Sequence, residues 1–277
     1  YQRFSVRANF DYNISDKLRF TTNFNYTNSF RENSPETTQK FGNKYRNMRW
    51  LAYRKAPNMS IWEYDENGNP TGDYFTPIES YQGSGDKYWN PVAIANLGRN
   101  DVQGNQVQNN FKLNYSVFNW MRLRETISFS YSNDKGNKFI PSTAIGTDWL
   151  YTDNNKSDEL NRMDLRWLSR TQMFLTPFIN QPLHSMTGVL MWEMEQKSSE
   201  RMRLVTEKSP SIYIADPANG APENVTKSVN AQSRLFGALA SLNYKLMDKY
   251  ILNANLRADG SSAFGVNNQW GYFPSFS

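Results

Sequence analysis

The sequence lacks cysteine and contains a single histidine among its 277 residues. Without cysteine, disulfide bridges and thiolate metal sites are excluded. The one histidine, His184, begins a strand-like segment and has no serine or cysteine motif that would partner it in catalysis. Neither a glycine-rich phosphate loop nor a metal-ligand spacing occurs. The sequence therefore predicts a protein that is not an enzyme, with no catalytic, metal-binding or cofactor-binding residue.

Long apolar runs are also missing. No window of about 18 continuous apolar residues occurs, so a transmembrane helix is excluded. The formal net charge of +5 is mild, and no run of Lys or Arg is long enough for a nucleic-acid tract. What the sequence does contain is 15% aromatic residues at a mean hydropathy of −0.75. That combination is unusual for a soluble core and typical of a β-barrel with a wet inner face.

An initiator Met and a signal-peptide segment are absent as well. The sequence starts at Tyr1 and stops at Ser277, in both cases within a strand-like pattern. We interpret residues 1–277 as an internal part of a longer barrel domain.

Apolar and polar residues alternate with period two in several long segments, which is the pattern of a β-strand with two different faces. The apolar series of the first predicted hairpin is Phe4, Val6, Ala8, Phe10 and Tyr12, followed by Leu18, Phe20, Phe24 and Tyr26. Further hairpins are predicted at 106–118 with 121–132, 161–176 with 184–196, and 234–245 with 250–258. Glu125 interrupts the apolar face without an explanation in the sequence.

Strand length and loop length separate this pattern from a β-sandwich. The predicted strands span about 9–16 residues, whereas strands of globular proteins average about 5–6 and membrane-crossing strands need about 9–11. Short turns alternate with long connections at about 30–105, 133–160, 197–233 and 259–269. The sequence therefore predicts an all-β fold, a segment of a large antiparallel transmembrane β-barrel with short periplasmic turns and long extracellular loops.

The two faces of the predicted strands also fit a barrel. Arginines occupy mid-strand positions opposite the apolar series: Arg3, Arg7, Arg19, Arg122, Arg124, Arg166, Arg170 and Arg257. In a barrel they would face a hydrated lumen or a plug, although a solvated face of a soluble sheet would accept them equally well. Aromatic residues gather near the strand ends, as an interfacial girdle would: Tyr12, Tyr26, Tyr115, Phe118, Trp120, Tyr131 and Tyr244.

The C-terminal part carries a family signature. Residues 235–244 read LFGALASLNY, residues 249–252 read KYIL, and residues 257–262 read RADGSS. The run continues with Phe264-Gly265 and Trp270-Gly271-Tyr272-Phe273-Pro274-Ser275. This composite resembles the SusC/RagA-like family of TonB-dependent outer-membrane transporters, and the opening hairpin and Tyr88-Trp89-Asn90-Pro91 are similar to that family more loosely.

The resemblance implies a function that strand periodicity alone does not. Members of the family form large plugged barrels in the outer membrane and import oligosaccharides or peptides. A SusD-like surface lipoprotein delivers the cargo as a lid, and the TonB complex supplies energy through an N-terminal part that residues 1–277 do not contain. The expected partners are therefore that lipoprotein, the TonB complex, outer-membrane lipid and the oligomeric cargo, with no nucleic acid and no cofactor.

Aromatic residues in the predicted long loops are candidate contacts for cargo, because flat sugar faces stack on aromatic rings. The candidates are Trp50, Trp62, Tyr64, Tyr81, Tyr88 and Trp89 in the first loop and Trp149 and Tyr151 in the second. Alternatively, they pack the loops against themselves or against the lid protein. The acidic segment 65–70 superficially suggests a calcium loop, but Asn67-Gly68-Asn69-Pro70 favours a turn.

Two readings of different class stay open at this stage. The first is the TonB-dependent importer. The second is a soluble or surface-attached β-rich glycan-binding module, whose apolar faces would form one closed core and not a lipid-facing belt. A passive porin and a siderophore importer are weaker alternatives, because neither carries the C-terminal signature. Both glycan and peptide remain possible cargo.

Overall fold

A computed structural model describes residues 1–35, 40–41, 44–45, 48–53, 55, 57–75, 90–145, 155–177, 183–222, 227–247 and 249–277. Within these ranges it describes all side chains except those of residues 40, 41, 44, 45, 50, 51, 145, 221, 222 and 266.

Strands dominate the described residues. In chain order they are β1 (Gln2–Ser15), β2 (Leu18–Glu32), β3 (Lys40–Phe41), β4 (Lys44–Tyr45), β5 (Trp62–Tyr64), β6 (Pro70–Tyr74), β7 (Arg99–Phe118), β8 (Met121–Ile140), β9 (Lys156–Leu175), β10 (His184–Glu207), β11 (Ala221–Pro222), β12 (Lys227–Leu246), β13 (Tyr250–Ser261) and β14 (Trp270–Phe276). The helices are α1 (Met48–Tyr53), α2 (Pro91–Leu97) and α3 (Ser142–Ile145), with 3₁₀ turns at Pro217–Asn219 and Val266–Asn268.

One large antiparallel sheet contains most of these strands. Its order is β1-β2-β7-β8-β9-β10-β12-β13-β14, with the short β11 paired to β10. Strands β3 and β4 form a separate hairpin, as do β5 and β6. Each long strand therefore pairs with the next long strand along the chain, which is the up-and-down order of a barrel wall. The prediction of an all-β, antiparallel fold is confirmed.

The connections alternate as predicted. Short turns follow β1, β7, β9 and β12, whereas long connections follow β2, β8 and β10. Because successive strands are antiparallel, all the short turns lie at one end of the sheet, which we call the turn end. The long connections and the 262–269 segment lie at the opposite end, the loop end.

The strands are longer than the sequence predicted. Strand β7 begins at Arg99 and not near 106, β8 continues to Ile140, and β10 continues to Glu207. The predicted loop limits at 133–160 and 197–233 are therefore wrong, since the loops shorten to 141–155 and 208–226. The cause is that the loop-end halves carry polar residues on both faces, so no period-two alternation marks them, although the backbone ladder continues.

The apolar face of the sheet, which we call the outer face, is uncovered. Large side chains on it are widely exposed, for example Phe10 at 62% and Leu256 at 51%. Among the described residues, the fully buried apolar side chains lie at the loop end instead, where Ile94 of α2 and Phe139 and Ile140 of β8 are buried. The outer face does not form the closed core that a soluble module requires, and it matches the lipid-facing belt of a membrane barrel.

Candidate functional site

The face opposite the outer face, which we call the inner face, is polar along its length. Side-chain hydrogen bonds run across neighbouring strands: Ser5 and Thr27 hydroxyls lie 3.1 Å apart, and the Ser241 hydroxyl lies 2.6 Å from Asn255 Oδ1. Asn255 in turn donates from Nδ2 to the Ser275 hydroxyl at 3.3 Å. All the arginines that the sequence placed opposite the apolar series lie on this face, as the strand registers show.

A charge network crosses strands β9 to β13 on the inner face. Arg170 Nε donates to Glu193 Oε2 at 2.7 Å, and Arg257 Nη2 lies 3.6 Å from Glu193 Oε1. Arg257 Nε also donates to Asp259 Oδ2 at 2.7 Å. One row nearer the loop end, Glu195 Oε1 lies 2.5 Å from Arg166 Nε. Glu193 is thereby held between cations of two different strands that are not its sequence neighbours.

Gly237 makes this network possible. It lies on β12 directly between Glu193 of β10 and Asp259 of β13. A Cβ at this position would be 3.1 Å from Asp259 Oδ1 and 3.5 Å from both Arg257 Nη2 and Glu193 Cγ. Because glycine leaves this space empty, a carboxylate and a guanidinium from strands two positions apart can meet over it. The sequence showed Gly237 only as part of a family signature.

The inner face of β1, β2, β7 and β8 has a different arrangement. Arg19 Nε donates to Asp11 Oδ1 at 2.7 Å, which pairs these two residues. Arg124 Nε donates to Asn114 Oδ1 at 2.9 Å, and its guanidinium carbon lies 5.1 Å from the centroid of the Phe174 ring. In the part of the chain that the structure describes, Arg122 has no ion-pair partner. A polar cavity of about 610 Å³ at the turn end is lined by Arg19, Arg122 and Arg124, among others.

The first long connection contains an aromatic hairpin. In β5–β6, the rings of Trp62 and Tyr74 stack with centroids 4.6 Å apart, and Tyr64 is 56% exposed. Trp62 and Tyr64 lie two positions apart on β5, and the register with β6 is irregular between them, since Trp62 pairs with Tyr74 and Tyr64 with Pro70. The sequence-predicted residues Trp62 and Tyr64 therefore lie on one hairpin.

A turn closes this hairpin, as the sequence favoured. The backbone N–H groups of Asn69 and Asn67 donate to Asp65 Oδ1 at 2.7 and 2.9 Å. These hydrogen bonds, that of Asn69 foremost, lower the pKa of Asp65. The carboxylate is thus occupied by its own turn. Elsewhere in the first connection, burial lowers the pKa of Lys55 to about 8.

Asn90 connects the aromatic hairpin to helix α2. Its Nδ2 donates to the carbonyl oxygens of Ile61 and Phe75 at 2.9 and 3.1 Å. Its Oδ1 accepts from the N–H groups of Val92 and Ala93 as the N-cap of α2. The Asn-Pro pair was a sequence signal for this role, because Asn favours the N-cap and Pro the first helical position.

The side chains of the other sequence-predicted aromatic residues lie outside the part of the chain that the structure describes. Trp50 lies in α1, and its side chain is outside the description. Tyr81, Tyr88, Trp89, Trp149 and Tyr151 lie outside the described residues. Whether any of these aromatic residues contacts cargo stays a prediction.

The structure shows hydrogen-bond partners for Glu125, which the sequence left unexplained, and for His184. Glu125 lies on the outer face and accepts hydrogen bonds from the hydroxyls of Thr171 and, at 2.9 Å, Ser169. The register places Thr171 directly beside Glu125, so the neighbouring strand compensates the carboxylate. His184 Nδ1 lies 2.6 Å from the Tyr244 hydroxyl near the turn end. Sequence reasoning could not find either partner, since both are more than 40 residues away.

Membrane-spanning helices were sought among the described residues, and no helix there is long and apolar enough to span a bilayer. In the same residues, no group of three or more His, Asp or Glu side chains is placed so that it could hold a metal ion.

Comparison with known proteins identifies similar chains of greater length. No protein-family profile matches the sequence. TonB-dependent receptor P39 of Formosa agariphila is 25% identical over 99% of this chain and 24% of its own length. TonB-dependent receptor P3 of the same organism is 23% identical, and TonB-dependent receptor SusC of Bacteroides thetaiotaomicron is 21% identical over the whole chain and 27% of its own length. The chain thus spans about a quarter of these relatives.

Solved structures share the fold. The RagAB peptide transporter superposes over 99% of this chain and 29% of its own chain, with a TM-score of 0.70 at 14% sequence identity. The same importer in its open-open state gives a TM-score of 0.69. The sheet of β1 to β14 therefore has the fold of a segment of that transporter.

Proposed function

We propose, from the premise that the chain belongs to the SusC/RagA-like family of TonB-dependent receptors, that residues 1–277 form part of the barrel wall of an outer-membrane active transporter. The transporter imports oligosaccharides or other oligomeric nutrients. The observation that carries this proposal is the contrast between the two faces of one long meander. The outer face is apolar and uncovered, and the inner face is polar and hydrogen-bonded from strand to strand.

The dimensions of the outer face support a membrane location. Tyr115 and Val107 lie eight positions apart on β7, and Val107 is flanked by Tyr26 and Tyr131 on the neighbouring strands. Eight residues of strand span about 27 Å, or about 20 Å across the membrane when the strand tilts by 35–45°. Aromatic rings at these two levels fit the girdles of a belt about 25 Å tall. The loop-end halves of β7 to β10 then project from the outer membrane.

The proposed partners follow from the family. A SusD-like surface lipoprotein would bind at the loop end, where Ile94 of α2, Ala144 of α3 and Phe139 of β8 are buried. The TonB complex and the plug would involve parts of the polypeptide other than residues 1–277. Glycan and peptide are both compatible with the relatives, one of which is a peptide transporter by name.

We further propose that the loop aromatics contact the cargo. The residues concerned are Trp50, Trp62, Tyr64, Tyr81, Tyr88, Trp89, Trp149 and Tyr151. Support comes from the hairpin, where the stacked Trp62 and Tyr74 rings and the exposed Tyr64 ring offer a surface for a flat, weakly polar ligand. Since Asn90 and the Asp65 turn hold this hairpin in place, little conformational entropy would be lost on binding.

The test of the proposed function is extraction of the native full-length protein. Recovery from outer membranes in detergent, as a heat-modifiable barrel that co-purifies with a SusD-like lipoprotein, is the expected result. Recovery in the soluble fraction without such a partner would contradict the importer and favour the glycan-binding module.

The loop aromatics have their own test. Uptake by cells that depend on the transporter is measured for the W62A/Y64A variant. We expect the concentration for half-maximal uptake to rise about tenfold, because one lost stacking contact of about 1.4 kcal/mol changes affinity tenfold. The matched control is Tyr213→Ala, which removes another loop tyrosine that is 89% exposed. An equal effect of control and variant would contradict the role of the hairpin.

A further inference from the structure

Charges on the inner face divide the sheet into two walls. We call β1, β2, β7 and β8 the first wall, and β9, β10, β12 and β13 the second wall. The registers make residues of neighbouring strands level with one another, and we compare the levels from Arg3 to Arg122. Over this span the inner face of the second wall carries six cations and four carboxylates. The cations are Arg162, Arg166, Arg170, Lys197, Arg201 and Arg257, and the carboxylates are Asp164, Glu193, Glu195 and Asp259. All of these cations except Arg201 are ion-paired with a carboxylate of the same wall.

The first wall carries its cations largely unpaired. Over the same span its inner face holds Arg3, Arg7, Arg19, Lys112, Arg122, Arg124, Asp11 and Asp134. Within the described part of the chain, only Arg19 of these cations is ion-paired, through Asp11. Among the residues that the structure describes, Arg7, Lys112 and Arg122 have neither an ion pair nor a side-chain hydrogen bond. Six cations are accompanied by two carboxylates on the first wall and by four on the second, so the larger positive excess and most of the unpaired cations lie on the first wall.

The register arranges these cations as a file. Arg3 is level with Ser29, Arg7 with Asn25, Lys112 with Thr21, and Arg122 with Ser116, in order from the loop end to the turn end. Arg3 and Arg122 are thus twelve strand positions apart, which is about 40 Å along the wall. We name this series, with Arg124 beside Arg122, the cation file. The other inner-face positions of these rows hold mainly Ser, Thr, Asn and Gln side chains, together with the Asp11–Arg19 pair, whose Asp11 is level with Thr21 and Lys112.

At the turn end of the cation file, Arg122 and Arg124 are placed to bind an oxyanion. Arg124 is oriented by Asn114 and by the Phe174 ring, and it lies two positions from the unpaired Arg122 on the same face. Both border the 610 Å³ cavity. A guanidinium donates two parallel hydrogen bonds to a carboxylate, and pre-orientation reduces the entropy lost on pairing. Lysines and arginines that line a confined aqueous path favour anions.

We infer that the first wall selects anionic cargo, and that this cargo is a carboxylated, uronic-acid-type oligosaccharide. This inference rests on the proposed function, because it names the cargo of the same transporter. The file of unpaired cations recognises the carboxylates, and the aromatic hairpin at Trp62 and Tyr64 recognises sugar faces. A neutral or basic oligomer would gain nothing from the file. An acidic peptide would satisfy the file but would make less use of the hairpin.

The charge of the wall is measurable with potassium and chloride as probes. The full-length transporter is placed in a planar bilayer under a KCl gradient, with urea on one side to open the lumen. We expect an anion-selective pore whose reversal potential moves towards the potassium equilibrium potential in R7Q/K112Q/R122Q. The charge-retaining R7K/R122K variant should behave as the parent. The R162Q/D164N control removes one ion pair of the second wall without changing net charge, and its reversal potential should be unchanged.

Uptake measurements then test whether the carboxylated cargo is an oligosaccharide or a peptide. Cells that express the transporter receive labelled tetragalacturonate, its neutral methyl ester or tetraglutamate. We expect preferential uptake of tetragalacturonate, and loss of that preference in R7Q/K112Q/R122Q. Equal uptake of acid and ester, uptake of neither, or preference for tetraglutamate overturns the assignment, as does a triple variant with the parent's reversal potential. Failure to form any pore would instead contradict the proposed function itself.

Discussion

The two walls of the sheet are built alike and differ in how their charges meet. Both consist of long antiparallel strands with alternate arginines on the inner face. In the second wall, Glu193 and Glu195 lie where the register brings arginines of neighbouring strands to them. In the first wall, the register places Asn25 beside Arg7, Thr21 beside Lys112 and Ser116 beside Arg122, so these three cations have no ion-pair partner among the described residues. Two polar faces of similar composition can therefore differ in whether residues on neighbouring strands form ion pairs.

The largest effect should follow from filling the gap in the second wall. In Gly237→Val, the new side chain would displace Asp259, Arg257 and Glu193 from one another. We expect the free energy of unfolding to fall by about 1–3 kcal/mol, the usual cost of overpacking. Urea unfolding of the full-length protein in lipid vesicles measures it. The matched control is Gly136→Val in the first wall, where a Cβ would meet Leu160 Cβ at an ordinary 3.7 Å. Equal midpoints for both variants would contradict the role of Gly237.

The second effect compares one ion pair from each wall by double-mutant cycles. Glu193 and Arg170 side chains are 19% and 42% exposed, whereas Asp11 and Arg19 are 46% and 58% exposed. We expect a coupling energy of about 1 kcal/mol for the first pair and a smaller coupling energy for the second, because solvent screens exposed pairs. The variants are E193Q with R170Q and D11N with R19Q, each unfolded in urea. A larger coupling in the first wall would show that burial does not decide the strength.

A third substitution, at Glu125 on the outer face, should stabilise the protein where the preceding ones destabilise it. Glu125→Gln removes a charge from the apolar belt, and its amide oxygen can accept from one of the Thr171 and Ser169 hydroxyls while its Nε2 donates to the other. We expect a gain in the free energy of unfolding of about 0.5–1 kcal/mol in lipid vesicles, since ionised groups are costly on a lipid face. The same substitution at Glu193, on the inner face, should cause a loss. If Glu125→Gln also destabilises the protein, its carboxylate faces something other than lipid.

The smallest effect on stability should come from the cation file. Arg122→Gln removes a cavity-lining side chain for which the described part of the chain offers no ion pair, so the free energy of unfolding should stay within about 0.5 kcal/mol of the parent. Urea midpoints of this variant and of the parent provide the measurement. A larger loss would mean that Arg122 stabilises the wall, and it would remove the contrast between a structural second wall and a functional first wall.

Much of the fold could be predicted because two-faced strands leave a direct record in sequence. Phe4 to Tyr12 alternate with polar residues, and the strand they predict is present from Gln2 to Ser15. The loop-end halves of β8 and β10 were missed because both of their faces meet polar surroundings, so the alternation ends before the hydrogen-bonded ladder does. For the candidate site, the inner-face arginines were found, but their partners were not. Of the predicted aromatic contacts, Trp62 and Tyr64 are described on one hairpin, and their role is still to be tested.

The sequence by itself determined the class of fold, the two faces of each strand and the order of turns and loops. These depend on local periodicity and on turn residues, which neighbouring positions of the chain carry. Only the tertiary structure decided that Glu193 reaches Arg257 over Gly237, that Thr171 compensates Glu125, and that Arg122 has no ion-pair partner within the described ranges. The physical reason is that register joins residues tens of positions apart, and a shift of one residue would turn every side chain to the opposite face.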